Sequence, residues 1–156
     1  MLLTPTSVTD PLRLEEAYFR RLLREGYSFF APQDTFASVA KTDECKLVVA
    51  VDSTLAHEAI ARGNRAAFFS IRSQLCNHPG CRFGWPGDYA DDGPFWSNVP
   101  DPAIFERIMD FLFAASDAEW KETLLQHNFE RIMEYDPDNT RFKELLADIL
   151  GPAPGA

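Results

Sequence analysis

The sequence has few cysteines and no long apolar run. Its three cysteines, Cys45, Cys76 and Cys81, are odd in number and scattered, which argues against a disulfide framework and indicates a reducing compartment. The absence of about 18 consecutive apolar residues excludes a membrane-spanning helix. The first residues lack the basic start and apolar stretch of a signal peptide. We therefore expect a cytoplasmic protein and leave open a peripheral position at the inner membrane.

Basic residues are also scarce, because 15 Lys and Arg face 24 Asp and Glu and the net charge is −9. Such a chain is not expected to bind nucleic acid. The charge is uneven, however, since residues 53–82 carry +3 and the rest of the chain carries −12. A local cationic zone favours a small anionic ligand over a polymer, and a chance cluster of solvated arginines is the alternative.

The 156 residues fit one α/β domain over residues 1–150, followed by a flexible tail over 151–156. The continuous apolar run over 46–51 is typical of a strand covered on both faces of a parallel sheet. We predict a single Rossmann-like lobe with a small parallel sheet and a helical C-terminal third. The predicted elements before residue 72 are a helix over 11–25, a strand over 27–30, a short helix over 35–41, a strand over 46–51, a helix over 55–63 and a strand over 65–71.

Glycine and proline interrupt residues 72–101, so the sequence predicts a long loop there. Helices are expected to follow from Pro102 and from Ser116 or Asp117, with Phe129, Ile132 and Met133 still inside the second of them. A turn over 136–139 and a final helix over 140–150 complete the prediction.

A polar turn, Asp52-Ser53-Thr54, lies between the strand at 46–51 and the helix that follows it. Free N–H groups and the positive end of the helix dipole meet there with the two hydroxyls of Ser53 and Thr54, and this combination binds phosphate. Open α/β sheets bind ligands at the carboxyl ends of their strands. The alternative is that Ser53 or Thr54 is simply a helix N-cap.

Three charged residues are candidates to support this turn. Glu58 lies one helical turn after Thr54 and could accept hydrogen bonds from a ribose, or it is an ordinary helix residue. Arg72 and Arg82 flank the start of the long loop and could form bidentate contacts with a diphosphate, or they are surface arginines. Because arginines would neutralise the phosphates, no metal ion or other cofactor is required.

The segment VVAVDSTLAHEAIARG (residues 48–63), followed by AAFFSIR, resembles the C-terminal lobe of GT-B-type glycosyltransferases. More narrowly, it is similar to bacterial surface-carbohydrate transferases with a V-x-STL-x-x-E-x-x-x-x-G pattern. FGWP (83–86), GPFW (93–96) and the M-x-YDP-x-N segment (133–139) extend the resemblance to residues 28–150.

The resemblance implies a lobe that holds a nucleotide-sugar donor, with phosphate at Ser53 and Thr54 and a ribose or phosphate role near Glu58. GT-B enzymes have two such lobes and run well beyond 156 residues. We therefore expect glycosyl transfer in surface polysaccharide biosynthesis to need a second lobe or a partner chain.

Other residues have weaker support as catalytic or binding groups. His57 is a candidate general base, although a packed helix histidine is more common. In the long loop, Trp85, Phe95 or Trp96 could stack on a nucleobase, or the three could fix the loop to the core. The segment 76–81 holds two thiols and an imidazole without an evident fourth ligand, so no zinc site is expected.

Two other functions remain open. The chain could be a non-catalytic Rossmann-like interaction module, which would expose an apolar patch, with Phe95 and Trp96 as candidates. It could also be a nucleotide or sugar-phosphate sensor that uses the same helix end and transfers nothing.

Overall fold

The computed structural model describes residues 2–3, 14–23, 25–30 and 36–151. The chain forms two compact units, residues 1–45 and residues 46–156. Residues 11–13 and 24 of the first predicted helix, residue 35 of the second, and the predicted tail apart from Gly151 lie outside the described residues.

Among its described residues, the first unit contains two short strands and two helices. Strand β1 (Leu2–Leu3) pairs in parallel with β2 (Ser28–Phe29). Helix α1 (Leu14–Leu23) precedes β2, and α2 (Ala37–Asp43) follows it. The helix predicted over 11–25 and the strand predicted over 27–30 are confirmed with shorter limits. The helix predicted over 35–41 is confirmed with limits shifted by two residues, and β1 was not predicted.

The second unit is built on a parallel three-stranded sheet. Its strands are β3 (Val48–Ala50), β4 (Ala66–Phe69) and β5 (Trp96–Ser97), in the order β3-β4-β5. The central strand β4 is the buried one, because Ala66, Ala67 and Phe68 are fully buried. The prediction that both faces of the 46–51 strand are covered is wrong, since Val49 on one face of β3 is 53% exposed.

Helix α3 (Thr54–Ala61) joins β3 to β4 and completes the predicted βαβ unit. Its small and apolar residues Ala56, Ala59 and Ile60 are buried, which brings the helix close to the sheet. Gly63 follows the helix at a φ of 98°, a conformation that favours glycine.

The predicted loop over 72–101 contains regular structure that the sequence did not reveal. It holds helix α4 (Arg72–Leu75), a 3₁₀ turn at Pro79–Cys81 and the third strand of the sheet, β5. Phe95 and Trp96 lie at β5 and are 0% and 2% exposed, so they are core residues. The expected exposed patch at these two aromatics is therefore wrong.

The C-terminal third is helical, as predicted. Helix α5 (Pro102–Ala114) begins at Asp101, whose carboxylate accepts a hydrogen bond from the N–H of Ala103 at 2.9 Å. Helix α6 (Asp117–Gln126) begins with a capping box between Ser116 and Glu119.

Helix α6 ends earlier than predicted. Asn128 adopts a left-handed conformation with a φ of 51°, and a 3₁₀ turn over Phe129–Arg131 follows it. The prediction that Phe129 lies inside α6 is thus wrong, because the chain turns at Asn128 to bury Phe129 in the core.

The predicted turn over 136–139 and final helix are confirmed. The Asp136 carboxylate accepts hydrogen bonds from the N–H groups of Thr140 and Arg141, each at 2.9 Å, and helix α7 (Thr140–Leu150) follows. No residue of α7 is buried, and its exposed apolar side chains are Phe142, Leu145, Leu146, Ile149 and Leu150.

The core of the second unit is mainly aromatic. Phe83 stacks on Trp96 with ring centroids 4.8 Å apart, and Phe95 meets Trp120 edge-to-face at 5.3 Å. Trp120 also donates a hydrogen bond to the carbonyl of Asn64 at 3.2 Å, which ties α6 to the turn before β4. Within the described ranges, no helix has the length and apolar character needed to cross a membrane.

Candidate functional site

The candidate site lies at the carboxyl edge of the parallel sheet. Strand β3 is followed by Asp52 and Ser53, β4 by Ser70 and Arg72, and β5 by Asn98. The hydroxyl of Ser70 donates to the carbonyl of residue 51 at 2.8 Å, and its N–H donates to the carbonyl of residue 97 at 2.8 Å. Ser70 therefore joins the ends of all three strands and holds this edge in place.

Ser53 is the N-cap of α3, since its hydroxyl oxygen accepts a hydrogen bond from the N–H of Leu55 at 3.3 Å. This bond uses the oxygen as an acceptor and leaves the hydroxyl proton free to be donated. The alternative interpretation of Ser53 as a cap is thus confirmed, and it is compatible with anion binding.

Thr54 opens the helix, and both Thr54 and Ser53 are exposed. In the part of the chain that the structure describes, the backbone N–H of Thr54 donates no hydrogen bond. Both hydroxyls and this N–H therefore face solvent at the positive end of the helix dipole.

Asp52 and Arg72 form an ion pair across this edge. The guanidinium group of Arg72 donates to the two carboxylate oxygens of Asp52 at 2.9 and 3.2 Å. The structure therefore brings Arg72 beside the turn that holds Ser53, as the diphosphate hypothesis needs. The pair also neutralises the one carboxylate of this turn, which would otherwise repel an anion.

Arg82 lies in a different setting. It pairs with Asp91 at 2.8 Å and donates to the carbonyl of Tyr89 at 3.4 Å. Its contacts in the described chain fix the loop that leads to β5 and include no hydrogen bond to residues 52–54.

Glu58 is partly exposed and lies 4.0 Å from Arg62, its partner one turn further along α3. This weak i, i+4 contact points to the C-terminal end of the helix. The carboxylate remains accessible, so a role toward a ribose stays a prediction.

His57 is packed among aromatic rings. Its ring centroid lies 4.2 Å from that of Phe68 and 6.0 Å from that of Phe83, and its Nδ1 is 3.3 Å from the carbonyl of Ser53. Burial lowers the pKa of His57, and the hydrogen bond to Ser53 partly opposes this shift. The neutral imidazole thus supports the first turn of α3 from inside, while its role as a base stays a prediction.

Asn98 was not predicted as a site residue from the sequence. Its position directly after β5 is the feature that could have identified it. The side chain is fully buried, and its Oδ1 accepts a hydrogen bond from the N–H of Phe83 at 2.9 Å. Among the described buried polar side-chain atoms, its Nδ2 is the one without a hydrogen-bond partner. Asn98 therefore ties the loop at Phe83 to the carboxyl edge of the sheet.

The sequence profile of one protein family matches residues 7–150, nearly the whole chain. Its description is "putative O-antigen biosynthesis protein". The chain belongs to this family. The match confirms the coarser part of the expectation, a link to surface-carbohydrate biosynthesis, and leaves the glycosyltransferase lobe as a prediction. No curated protein and no solved structure matches the chain.

Two pockets of this O-antigen biosynthesis family member lie away from Ser53 and Thr54. One, of about 730 Å³, lies between the loop around Trp85 and the turn around His127. The other, of about 530 Å³, is more apolar and is lined by the end of α3, by α6 and by the segment after α6. We call the first the Trp85 pocket.

The thiol segment of this family member shows one close pair. The sulfur of Cys81 lies 3.8 Å from the Nδ1 of His78, and the three cysteines are free. Among the residues that the structure describes, no group of three His, Cys, Asp or Glu side chains is arranged to hold a metal ion.

Proposed function

We propose that this chain is the donor-binding lobe of a glycosyltransferase in O-antigen biosynthesis. In this proposal the lobe holds the diphosphate of a nucleotide-sugar at the start of α3. The observation that carries it is the exposed Ser53-Thr54 turn at the carboxyl end of β3, with Arg72 beside it. The family membership supports the biological context.

The binding step combines three kinds of donor. The N–H of Thr54 and the hydroxyls of Ser53 and Thr54 would donate to one phosphate, aided by the positive end of α3. Arg72 would supply a full positive charge and two parallel N–H donors. Both hydrogen bonds to Asp52 come from Nη1 of Arg72, so the other N–H groups of this 57% exposed side chain can donate to a phosphate while Asp52 stays neutralised.

The same groups would assist sugar transfer. Negative charge develops on the departing nucleoside diphosphate as the bond to the sugar breaks. Donors already aimed at this charge stabilise the transition state more than the ground state. An acceptor-binding lobe or partner chain would supply the remaining contacts, and a proton acceptor for the attacking hydroxyl would come from there.

The test is isothermal titration calorimetry with UDP, GDP and dTDP. The double variant Ser53→Ala, Thr54→Val removes both hydroxyls at similar side-chain volume. We expect it to bind the preferred diphosphate about tenfold or more weakly, since each lost hydrogen bond to a charged group contributes about 1.5–3 kcal/mol.

The matched control is Ser116→Ala, which removes the N-cap of α6, away from the sheet edge. It should lower stability by about 1 kcal/mol and leave diphosphate affinity unchanged. Equal affinity of wild type and double variant, or no affinity of the wild type for any of the three diphosphates, would refute the proposal.

A second candidate function is favoured by helix α7. Its apolar side chains, with Phe142 59% and Ile149 69% exposed, lie at the spacing of a helix that packs against a partner. A non-catalytic interaction module would use this face. Analytical ultracentrifugation of the wild type and of a Phe142→Ser, Ile149→Ser variant, each with and without candidate partner chains, tests this function. The interaction function is refuted if both proteins sediment as monomers under all of these conditions.

A further inference from the structure

The Trp85 pocket has the volume of a small-molecule site. Residues 84–90 form one wall, and residues 126–128 with Arg131 and Ile132 form the other. Its volume of about 730 Å³ lies within the range of small-molecule sites, about 300–1,000 Å³. None of the residues proposed to bind the diphosphate lines it.

The two walls are fastened to each other. The hydroxyl of Tyr89 donates to the carbonyl of His127 at 3.2 Å and lies 3.4 Å from that of Asn128. A Cβ atom at Gly84 would overlap the ring of Tyr89, so the glycine lets the loop pack directly on that ring. The pocket is therefore formed before any ligand arrives, which lowers the cost of binding.

Trp85 differs from the other two tryptophans of the chain. It is 59% exposed, whereas Trp96 and Trp120 are each 2% exposed. A large indole face at the mouth of a pocket offers an apolar platform, and its N–H offers a hydrogen bond. This combination suits a ligand with an apolar face and a polar edge.

The charges of the pocket nearly cancel. Asp92 is paired with Arg107 at 2.6 Å, which leaves Asp88 and Arg131 as charges of opposite sign. The remaining polar side chains include Gln126 and the imidazole of His127, whose pKa burial lowers, so the ring is neutral near pH 7. A site without net charge has little to offer a diphosphate and can hydrogen-bond many hydroxyls.

We propose that the Trp85 pocket binds an uncharged saccharide, with the indole of Trp85 against the apolar face of a sugar ring. Gln126, His127 and Asp88 hydrogen-bond the ring hydroxyls. A sugar ring carries C–H bonds on one face and hydroxyls at its edge, which matches this lining. In an O-antigen biosynthesis family the saccharide is the growing glycan, and its binding here does not depend on diphosphate binding at Ser53 and Thr54.

The experiment is a ¹H–¹⁵N NMR titration that follows the three indole N–H signals. The probes are uncharged oligosaccharides of hexoses, 6-deoxyhexoses and N-acetylhexosamines, and UDP in a separate titration. We expect at least one oligosaccharide class to shift the indole signal of Trp85 and to leave nearly unchanged that of Trp120, which does not line the pocket, whereas Trp96 lines the pocket and its signal can shift as well. Chemical-shift titration then gives the affinity.

Three variants test whether the aromatic ring of Trp85 is responsible for saccharide binding. Trp85→Ala should weaken saccharide binding about tenfold or more, whereas Trp85→Phe keeps an aromatic face and should stay within about threefold of wild type. Phe113→Ala removes an aromatic side chain that is 65% exposed and lies on α5, outside the pocket. It should bind saccharide as the wild type does.

The saccharide proposal and the diphosphate proposal can be refuted independently of each other. The Ser53→Ala, Thr54→Val variant should retain full saccharide affinity, and Trp85→Ala should retain full UDP affinity. The saccharide proposal is overturned if no oligosaccharide class shifts the Trp85 signal, if UDP alone shifts it, or if Trp85→Ala binds saccharide as tightly as wild type.

Discussion

Arg72 holds both carboxylate oxygens of Asp52, so the last charged residue before α3 is neutralised from the neighbouring strand end. The Asp52 side chain is 28% exposed and that of Arg72 is 57% exposed, which limits the stabilisation from this pair to about 0–1 kcal/mol. The pair thus matters more for the local electric field than for folding.

This relationship predicts that Asp52→Asn strengthens diphosphate binding. The change removes a negative charge beside the proposed phosphate position and frees Arg72, so UDP affinity should rise about threefold or more, and more strongly at low salt. Arg72→Met should lower it. Calorimetry at two salt concentrations measures both changes.

Glu134→Gln is the control for Asp52→Asn. It removes the same charge from another exposed ion pair, that of Glu134 with Arg141. It should leave UDP affinity unchanged. A similar gain in both variants would mean that net charge alone acts, and the specific role of Asp52 would be wrong.

The burial of His57 predicts that the stability of the fold depends on pH. Its folded pKa is lowered below 6.5 because burial among aromatic rings disfavours the charged ring. The neutral ring stabilises the fold fully above the unfolded pKa, and this contribution is lost as the pH falls from about 6.5 toward the lowered folded pKa.

The measurement for His57 is urea unfolding at pH 7.5 and 5.5. Wild type should be less stable at pH 5.5, and His57→Phe should reduce this loss. His127, whose pKa burial also lowers, accounts for a remaining part. An NMR titration that places the pKa of His57 at or above 6.5 would contradict this explanation.

Asn98 predicts a large effect from a single buried polar side chain. Replacing it by alanine leaves the N–H of Phe83 without its acceptor and opens a small cavity, and it also removes the buried Nδ2 that has no partner, so Asn98→Ala should lower the free energy of unfolding by about 1–3 kcal/mol. Chemical denaturation measures the change. Gln74→Ala, at an exposed position of α4, should cost less than about 0.5 kcal/mol, and a similar cost in both variants would contradict the structural role.

The sequence predicted best those elements whose signal is local. The βαβ unit has a continuous apolar run, a polar turn and a glycine stop, and Ser116 with Glu119 forms the expected helix start. These features act within a few residues, so they can be read without the rest of the chain.

The elements that the sequence missed depend on distant partners. Strand β5 has two residues, and its backbone is ordered by pairing with β4 rather than by its own periodicity. Because β5 was missed, Asn98 was missed as well. Likewise, the end of α6 is set by burial of Phe129, which local helix propensity does not reveal.

Only some of the predicted site residues lie close together in the structure. Ser53, Thr54 and Arg72 lie at one sheet edge because they follow neighbouring parallel strands, a relationship that strand order makes predictable. Arg82 follows no strand, and its pairing with Asp91 across the loop could not be derived from spacing.

The last prediction concerns Gly93 and distinguishes a loss of stability caused by steric overlap from one caused by backbone strain. A Cβ atom at Gly93 would overlap the buried ring of Trp96. The position of Trp96 in β5 and the hydrogen bond from its indole N–H to the carbonyl of Ala90 hold this ring in place. Gly93→Ala should therefore lower the free energy of unfolding by about 1–3 kcal/mol and change the near-UV circular dichroism of Trp96.

Gly63→Ala is the matched comparison for Gly93→Ala. Gly63 has a φ of 98° and nothing within 4 Å of an added Cβ, so its cost comes from the backbone alone. We expect a loss of about 1 kcal/mol or more without a change in the near-UV spectrum. If Gly93→Ala is neutral, or if both variants alter the aromatic spectrum alike, the steric overlap of an added Cβ atom with Trp96 is not the source of the cost.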